Sequence, residues 1–359
     1  MSIVNFSDVA HRVNTKEDRF NTDKIFYVGG EHIDSDELIV TNNGIIKGST
    51  IGPMFYCGFK SGDILFVTRN PHLRKCGLVE FDGICSEKTF VIGTKDKNIL
   101  SQEYLAIVMQ SDDFWNYCEE NKSGGVNYFL NWSTLAEYEF DLPPIEEQKT
   151  ISEKVFAAYR LKQSYKKLLS ATDEMVKSQF IEMFGSSKEQ VSLSSLCKTF
   201  QDGDWIEAKD QSDSGIRLIQ TGNVGNGYFK DKGEKARYIS EETFRRLNCT
   251  EIFAGDILVS RLPDPVGRAC IIPEGLGKCI TAVDCTIIRL GDKILPEYFI
   301  WFTRTPDYAM QIKKVLSGTT RLRVSRANLG KIQIPAPSID HQKAFVAIAE
   351  QADKSKYLN

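Results

Sequence analysis

The spacing of apolar residues changes several times along the 359-residue chain. Short β-branched runs read as strands: DILFVTR from Asp63, TFVIG from Thr89, DILVSR from Asp256 and CTIIRL from Cys285. Two longer stretches, EYLAIVMQSDDFWNYCEEN from Glu103 and EYFIWFTRTPDYAMQIKKVL from Glu297, carry helical periodicity. Strands mixed with helices predict mixed α/β domains. The segment after Pro143 and Pro144 differs from both. It holds neither Pro nor Gly up to Phe184, and Gly185 offers a stop. Glu146 and Glu147 fall at the positive end of the helix dipole. The expected helix has roughly 40 residues and a length of about 60 Å. Along it Ile151, Val155, Ala158, Tyr165, Leu169 and Val176 recur in steps suited to one packing seam, with Lys162 and Thr172 interrupting.

This organisation occurs twice. Ile145-Glu146-Glu147-Gln148 matches Ile339-Asp340-His341-Gln342 at an offset of 194 residues. The same offset relates Pro143 to Pro337, Leu135 to Leu329, Ser123-Gly124 to Ser317-Gly318 and Tyr104 to Tyr298. Upstream, Gly62-Asp63-Ile64-Leu65 matches Gly255-Asp256-Ile257-Leu258 at an offset of 193, and His32-Ile33 aligns loosely with Asn223-Val224. An ordered series at nearly constant offset marks a duplication, with a period too long for a solenoid. Each copy is a domain followed by a helix. The boundaries fall at 1–144 and 186–337 for the domains, and at 145–185 and 338–359 for the helices. In the second helix Phe345, Ala349 and Ala352 stand where the first has Ile151, Val155 and Ala158. Two helices with the same seam are expected to pack on each other.

Composition adds limits. With 42% hydrophobic and 26% charged residues the chain can build cores. No apolar run is long enough for a membrane span, and the N-terminus lacks a signal-peptide pattern, so a cytoplasmic protein is expected. The nine cysteines include no CxxC and read as buried reduced thiols; the four scattered histidines make a structural metal site unexpected. Net charge is −3 overall, but −8 over 1–144 and +4 over 186–337. DNA binding would therefore depend on local loops.

No nucleotide-binding loop, dinucleotide fingerprint, hydrolase, kinase, metalloprotease or amino-methyltransferase signature is present. Basic and polar loops at matching places remain. The first copy has Arg69, Asn70, Arg74 and Lys75 after its GDIL strand, and the second has Arg261 and Arg268. A second loop pair holds Lys122, Asn127 and Tyr128 in one copy, and Thr319, Thr320, Arg321, Arg323 and Arg326 in the other. Arginine grips phosphate or guanine through two hydrogen bonds, and threonine donates to phosphate. Three arginines within six residues, without acidic neighbours in sequence, point to nucleic-acid contact.

The ordered set resembles the specificity (S) subunit of Type I restriction-modification systems. It comprises the GDIL strand with its basic loop, FDGICSEKTFVI or TAVDCTIIRL, the SG loop and the Pro-x-Ile-x-x-Gln helix start, twice over, and SQFIEMFG closes the first helix. The resemblance implies two similar mixed α/β target recognition domains, joined and spaced by long antiparallel coiled-coil helices. Each domain would read one half of a bipartite, asymmetric site on double-stranded DNA. Gln148, Gln342 and the seam residues would form the spacer on which two modification subunits dock. Restriction subunits would join them. S-adenosylmethionine, ATP and magnesium would belong to those partners, and this chain would be non-catalytic. Only 22 residues follow Pro337, so the second helix is expected to be about half the length of the first. That leaves the distal part of helix 145–185 open to a second S chain. Two other readings stay open: a standalone DNA-binding regulator or decoy, which would bind its site without a partner, and the recognition part of a restriction-methyltransferase enzyme, which would bind S-adenosylmethionine itself.

Overall fold

Left-handed glycines, Gly62 at φ +95° and Gly255 at φ +89°, turn the chain into the two GDIL strands. The computed structural model describes residues 2–187, 189–318 and 321–355. In it these strands are Ile64–Val67 and Ile257–Ser260, and every residue of both is buried. Their uninterrupted apolar character has a simple cause, because successive strand side chains point to opposite faces. Ile64 and Phe66 enter a core shared with helices, whereas Leu65 and Val67 enter a second core between sheets. Ile257 and Val259 are divided from Leu258 in the same way. With apolar groups on both faces, no polar alternation survives.

The chain divides into two compact units, Met1–Lys166 and Lys167–Asn359. In the first, Ala10–Val13, Thr89–Thr94, Ile64–Val67, Cys76–Val79 and Ile39–Val40 form one five-stranded sheet. Thr15–Lys16, Phe55–Phe59, Gly83–Ser86, Phe26–Val28 and Gly44–Ile45 form another. The second unit repeats the plan with a four-stranded sheet, Cys197–Asp202, Cys285–Leu290, Ile257–Ser260 and Ala269–Ile271, and a second sheet of five strands. Registers match: Ile64 opposes Ile92 and Leu78, and Ile257 opposes Ile288 and Ile271.

The two helical stretches each form two helices, Gln102–Val108 with Asp112–Glu120, and Pro296–Phe302 with Pro306–Lys314. The break is chemical. The Ser111 hydroxyl accepts from Phe114 N–H and the Thr305 hydroxyl from Tyr308 N–H, so each restarts a helix as its N-cap.

The long helix spans Ile145–Phe184. Its buried face differs from the expected seam. Gln148, Ser152, Phe156 and Tyr159 are buried on the first unit, while Ile151 and Val155 are half-buried and Ala158 is exposed. Gln163 and Lys166 donate to the Glu37 carboxylate at 2.5 and 2.7 Å, which extends the attachment to the unit boundary. Tyr165, just before that boundary, and Leu169, beyond it, are exposed, and Val176 is fully buried. The distal part therefore has an intramolecular partner, contrary to the expectation from length. Val176, Phe180 and Phe184 share one core with Phe345, Ala349 and Ala352 of the final helix, Ile339–Ser355. The Phe180 and Phe345 rings meet edge to face at 5.1 Å. No described helix is long and apolar enough to cross a membrane. All nine cysteines are free thiols.

Candidate nucleic-acid interface

In each unit the loop after the GDIL strand meets a small hairpin. In the first unit Ser123 and Phe129 exchange backbone hydrogen bonds of 2.8 and 2.9 Å. Gly124 closes the turn at φ +100°, where a Cβ would lie 2.7 Å from the Asn127 carbonyl. The hairpin is tied to the strand exit by Leu130 N–H on the Thr68 carbonyl (3.0 Å) and Asn70 N–H on the Tyr128 carbonyl (2.9 Å). Loops far apart in sequence, around 69 and around 128, thereby become neighbours. The Arg69 guanidinium lies 5.3 Å from the Phe129 ring centre, and the Lys122 ammonium 4.4 Å from that of Tyr128. Lys122 also pairs with Glu119 at 2.6 Å. Val126 and Asn127 are exposed at the tip, and Tyr128 is half-buried.

The second unit repeats the backbone and changes the side chains. Ser317 and Arg323 exchange hydrogen bonds of 2.9 and 2.8 Å, Gly318 turns at φ +102°, and Val324 N–H reaches the Arg261 carbonyl at 3.2 Å. Arg323 thus occupies the hairpin position of Phe129, and Arg321 that of Asn127. Both arginines are exposed, and neither forms an ion pair among the described residues. Thr319 and Thr320 lie outside the described residues.

The other expected contact residues are engaged within their own units to different degrees. Arg268 is buried, and its guanidinium donates to five backbone carbonyls, of Thr221, Val224, Leu262, Pro263 and Pro265, at 2.6–3.0 Å. Burial lowers its pKa. It shapes the loop from within, and its burial keeps it from being presented to phosphate. Arg261 donates to the Val283 carbonyl at 2.6 Å and lies 3.5 Å from Asp202. Arg326 keeps an exposed side chain but sits 3.8 Å from the same carboxylate. Asp202 is the acidic partner that local sequence did not reveal, because it arrives from strand Cys197–Asp202. In the first unit Arg74 adopts φ +50° and pairs with Asp112 at 2.7 Å, a hydrogen bond that raises its pKa. Lys75 donates to the Gly30 carbonyl at 2.6 Å. Both tie the loop to other segments of the first unit.

The two helix-start glutamines are also structural. The Gln148 amide oxygen accepts from Ser101 N–H (2.9 Å), and its NH2 donates to the Ile99 and Pro143 carbonyls (both 2.8 Å). Gln342 makes the same three bonds, with Leu295 N–H, Lys293 and Pro337, each at 2.9 Å. Every partner is displaced by the repeat offset of 194. The motif repeats because one amide rivets each helix start to its own unit. Both side chains are fully buried and unavailable to another subunit.

Two units with one backbone plan, each presenting a polar loop pair and different side chains, define a duplicated recognition scaffold. A family model described as the Type I restriction modification DNA specificity domain matches residues 6–170 and again 186–358. The chain belongs to this family and is a type I specificity subunit with two copies of its domain. It is 20% identical over 344 residues to the Type I restriction enzyme MjaVIII specificity subunit of Methanocaldococcus jannaschii, covering 89% of this chain and 75% of that protein. The fold is similar to the Type I restriction-modification S subunit from M. genitalium, with a TM-score of 0.58, 12% identity, and coverage of 99% of this chain and 90% of that one. A chain from a structural study of complex assembly and conformational transition in a type I R-M system gives 0.53, with 19% identity and coverage of 99% and 90%.

Proposed function

We propose that each unit reads one half of a bipartite, asymmetric double-stranded DNA site through its hairpin and the loop after its GDIL strand. The observation that carries this reading is the repeated hairpin. The same backbone offers Asn127, Tyr128 and Phe129 in one unit and Arg321, Leu322 and Arg323 in the other. Unlike side chains on like frames imply unlike half-sites. Direct contacts are assigned to Arg69, Asn70, Lys122, Asn127 and Tyr128 in the first unit, and to Arg321, Arg323 and Arg326 in the second.

The domain limits 1–144 and 186–337 assign the long helix and the final helix to a spacer that sets the gap between half-sites. An antiparallel coiled-coil arrangement of those helices belongs to the proposal. Two modification subunits dock on that spacer, and Ile151, Val155, Ala158, Tyr165 and Leu169 supply accessible side chains for them. A groove lined by Ile3, Tyr104, Ile107, Phe140 and Ile151 supports docking there. Its counterparts in the second unit, Tyr298 and Phe345, are covered by Phe180 and Phe184. Methyl transfer, with S-adenosylmethionine, and ATP-driven restriction, with magnesium, are assigned to the partner subunits. Taking a base out of the stack is likewise a task for the partner's pocket.

The test is co-expression with a matching modification subunit, followed by mapping of methylated adenines. An asymmetric bipartite motif with a fixed gap is expected. A palindromic motif would instead mean that two S chains each contribute one identical unit. Arg321→Ala and Arg323→Ala should weaken or relax only the second half-site, by about 1–3 kcal/mol where the contact is to a base. An unchanged motif and affinity in both variants would remove this hairpin from the interface.

A further inference from the structure

Two cysteines face each other across neighbouring strands of the first unit. Strand Phe55–Phe59 lies between Thr15–Lys16 and Gly83–Ser86. Cys57 opposes Lys16 on one side and Cys85 on the other. Directly opposed residues of an antiparallel pair project to the same face, with Cα atoms about 4.5–5.5 Å apart. A disulfide spans Cα separations of about 4.4–6.8 Å, so opposed strand partners fall within bridging range.

Surroundings give the two thiols different roles. Cys85 is fully buried beside Val28, Leu65 and Val91. Cys57 is half-buried at the edge of that cluster and reachable from solvent. A hydrogen bond from the Cys85 thiol brings the Cys57 pKa down to about 7 against its partial burial, and the Arg12 and Lys16 cations assist. Glu87 opposes them. The same hydrogen bond and burial push Cys85 well up, with Asp63 adding to the effect, so Cys85 retains the shared proton. Burial raises the remaining seven thiols, Cys197 for example to about 12 and Cys249 to about 11. A thiolate near neutrality, next to cations and a second thiol, is the arrangement that reacts with peroxides.

We propose that Cys57 and Cys85 are a peroxide-reactive dithiol that closes to a cross-strand disulfide. The Cys57 thiolate attacks one oxygen of hydrogen peroxide, the O–O bond breaks, and hydroxide leaves. Cys57 becomes a sulfenic acid, and the hydroxide takes a proton from solvent. The Cys85 sulfur then attacks the sulfenic sulfur. Its proton goes to the departing hydroxyl group, which leaves as water. In sum, two thiols and one peroxide give one disulfide and two waters. An added dithiol reductant reverses the change.

The experiment uses the purified full-length chain. Iodoacetamide at limiting concentration, with peptide mass spectrometry, reads each thiol against pH. Cys57 should be the first cysteine alkylated, at a rate that rises about tenfold from pH 6 to pH 8 and then levels, as a pKa near 7 requires. After exposure to hydrogen peroxide, wild-type protein should yield one Cys57–Cys85 cross-linked peptide that dithiothreitol removes. Cys85→Ser should stop at a Cys57 sulfenic acid, trapped by dimedone, and Cys57→Ser should leave Cys85 reduced. Circular dichroism of each variant checks its fold, and the wild-type labelling profile stands without them. A Cys57 rate still climbing above pH 8.5, or peroxide-treated wild type whose Cys57 stays unlinked to Cys85, would overturn the proposal.

Discussion

Single side chains explain why the most conspicuous motif recurs. Gln148 and Gln342 look in sequence like surface residues of a shared spacer, but each spends its amide on one N–H and two carbonyls of its own unit. Gln148→Ala leaves Ser101 N–H and the Ile99 and Pro143 carbonyls without their Gln148 partner in a partly buried place. Each such group costs about 1–3 kcal/mol. The variant should lose on the order of 3 kcal/mol in urea unfolding of the first unit, more than an exposed-residue change produces. Arg268 carries the same lesson. Its charge and its place after a GDIL strand were legible, but its five carbonyl acceptors converge only after the loops at 221–224 and 262–265 meet. Arg326 has no acidic neighbour in sequence, because Asp202 stands more than a hundred positions away in the chain.

At the scale of elements, the long helix was legible in its existence and limits. Its start after the proline pair and its end before Gly185 follow from backbone chemistry alone. Which stripe is buried did not follow. The apolar pattern offers more than one seam, and the first unit selects Ser152, Phe156 and Tyr159 rather than Ile151, Val155 and Ala158. The last turns hold the second unit through Val176, Phe180 and Phe184. Phe180→Ala removes a ring packed against Phe184, Tyr298, Phe302 and Phe345. A loss of about 3–5 kcal/mol is expected for the second unit. Protease resistance of the two units, followed separately, checks it: the first should persist where the second is cut. Equal loss in both units would show that the helix end supports more than its own core.

For the whole molecule, the difference in charge between the copies bears on binding. The first domain carries net −8 and the second +4 over the limits given above. Phosphate contacts release counterions, so the logarithm of affinity falls with the logarithm of salt by about 0.9 per contact. Affinity for the second half-site should therefore fall more steeply with salt than affinity for the first. Titrations of duplexes scrambled in one half-site or the other, between about 50 and 200 mM salt, provide the comparison. Equal slopes would place the basic surplus of the second unit outside the interface.

The sequence alone determined the duplication, the strands that run through two cores, the long helix and the positions of the polar loops. These depend on residue spacing, on Gly and Pro, and on short apolar runs, all of which are local in the chain. Only the tertiary structure decided which arginines remain exposed, which glutamine atoms are consumed, which stripe of the long helix is covered and which thiols are paired. Those outcomes depend on carboxylates, carbonyls and rings brought close from distant segments, and a linear pattern carries no distances between them.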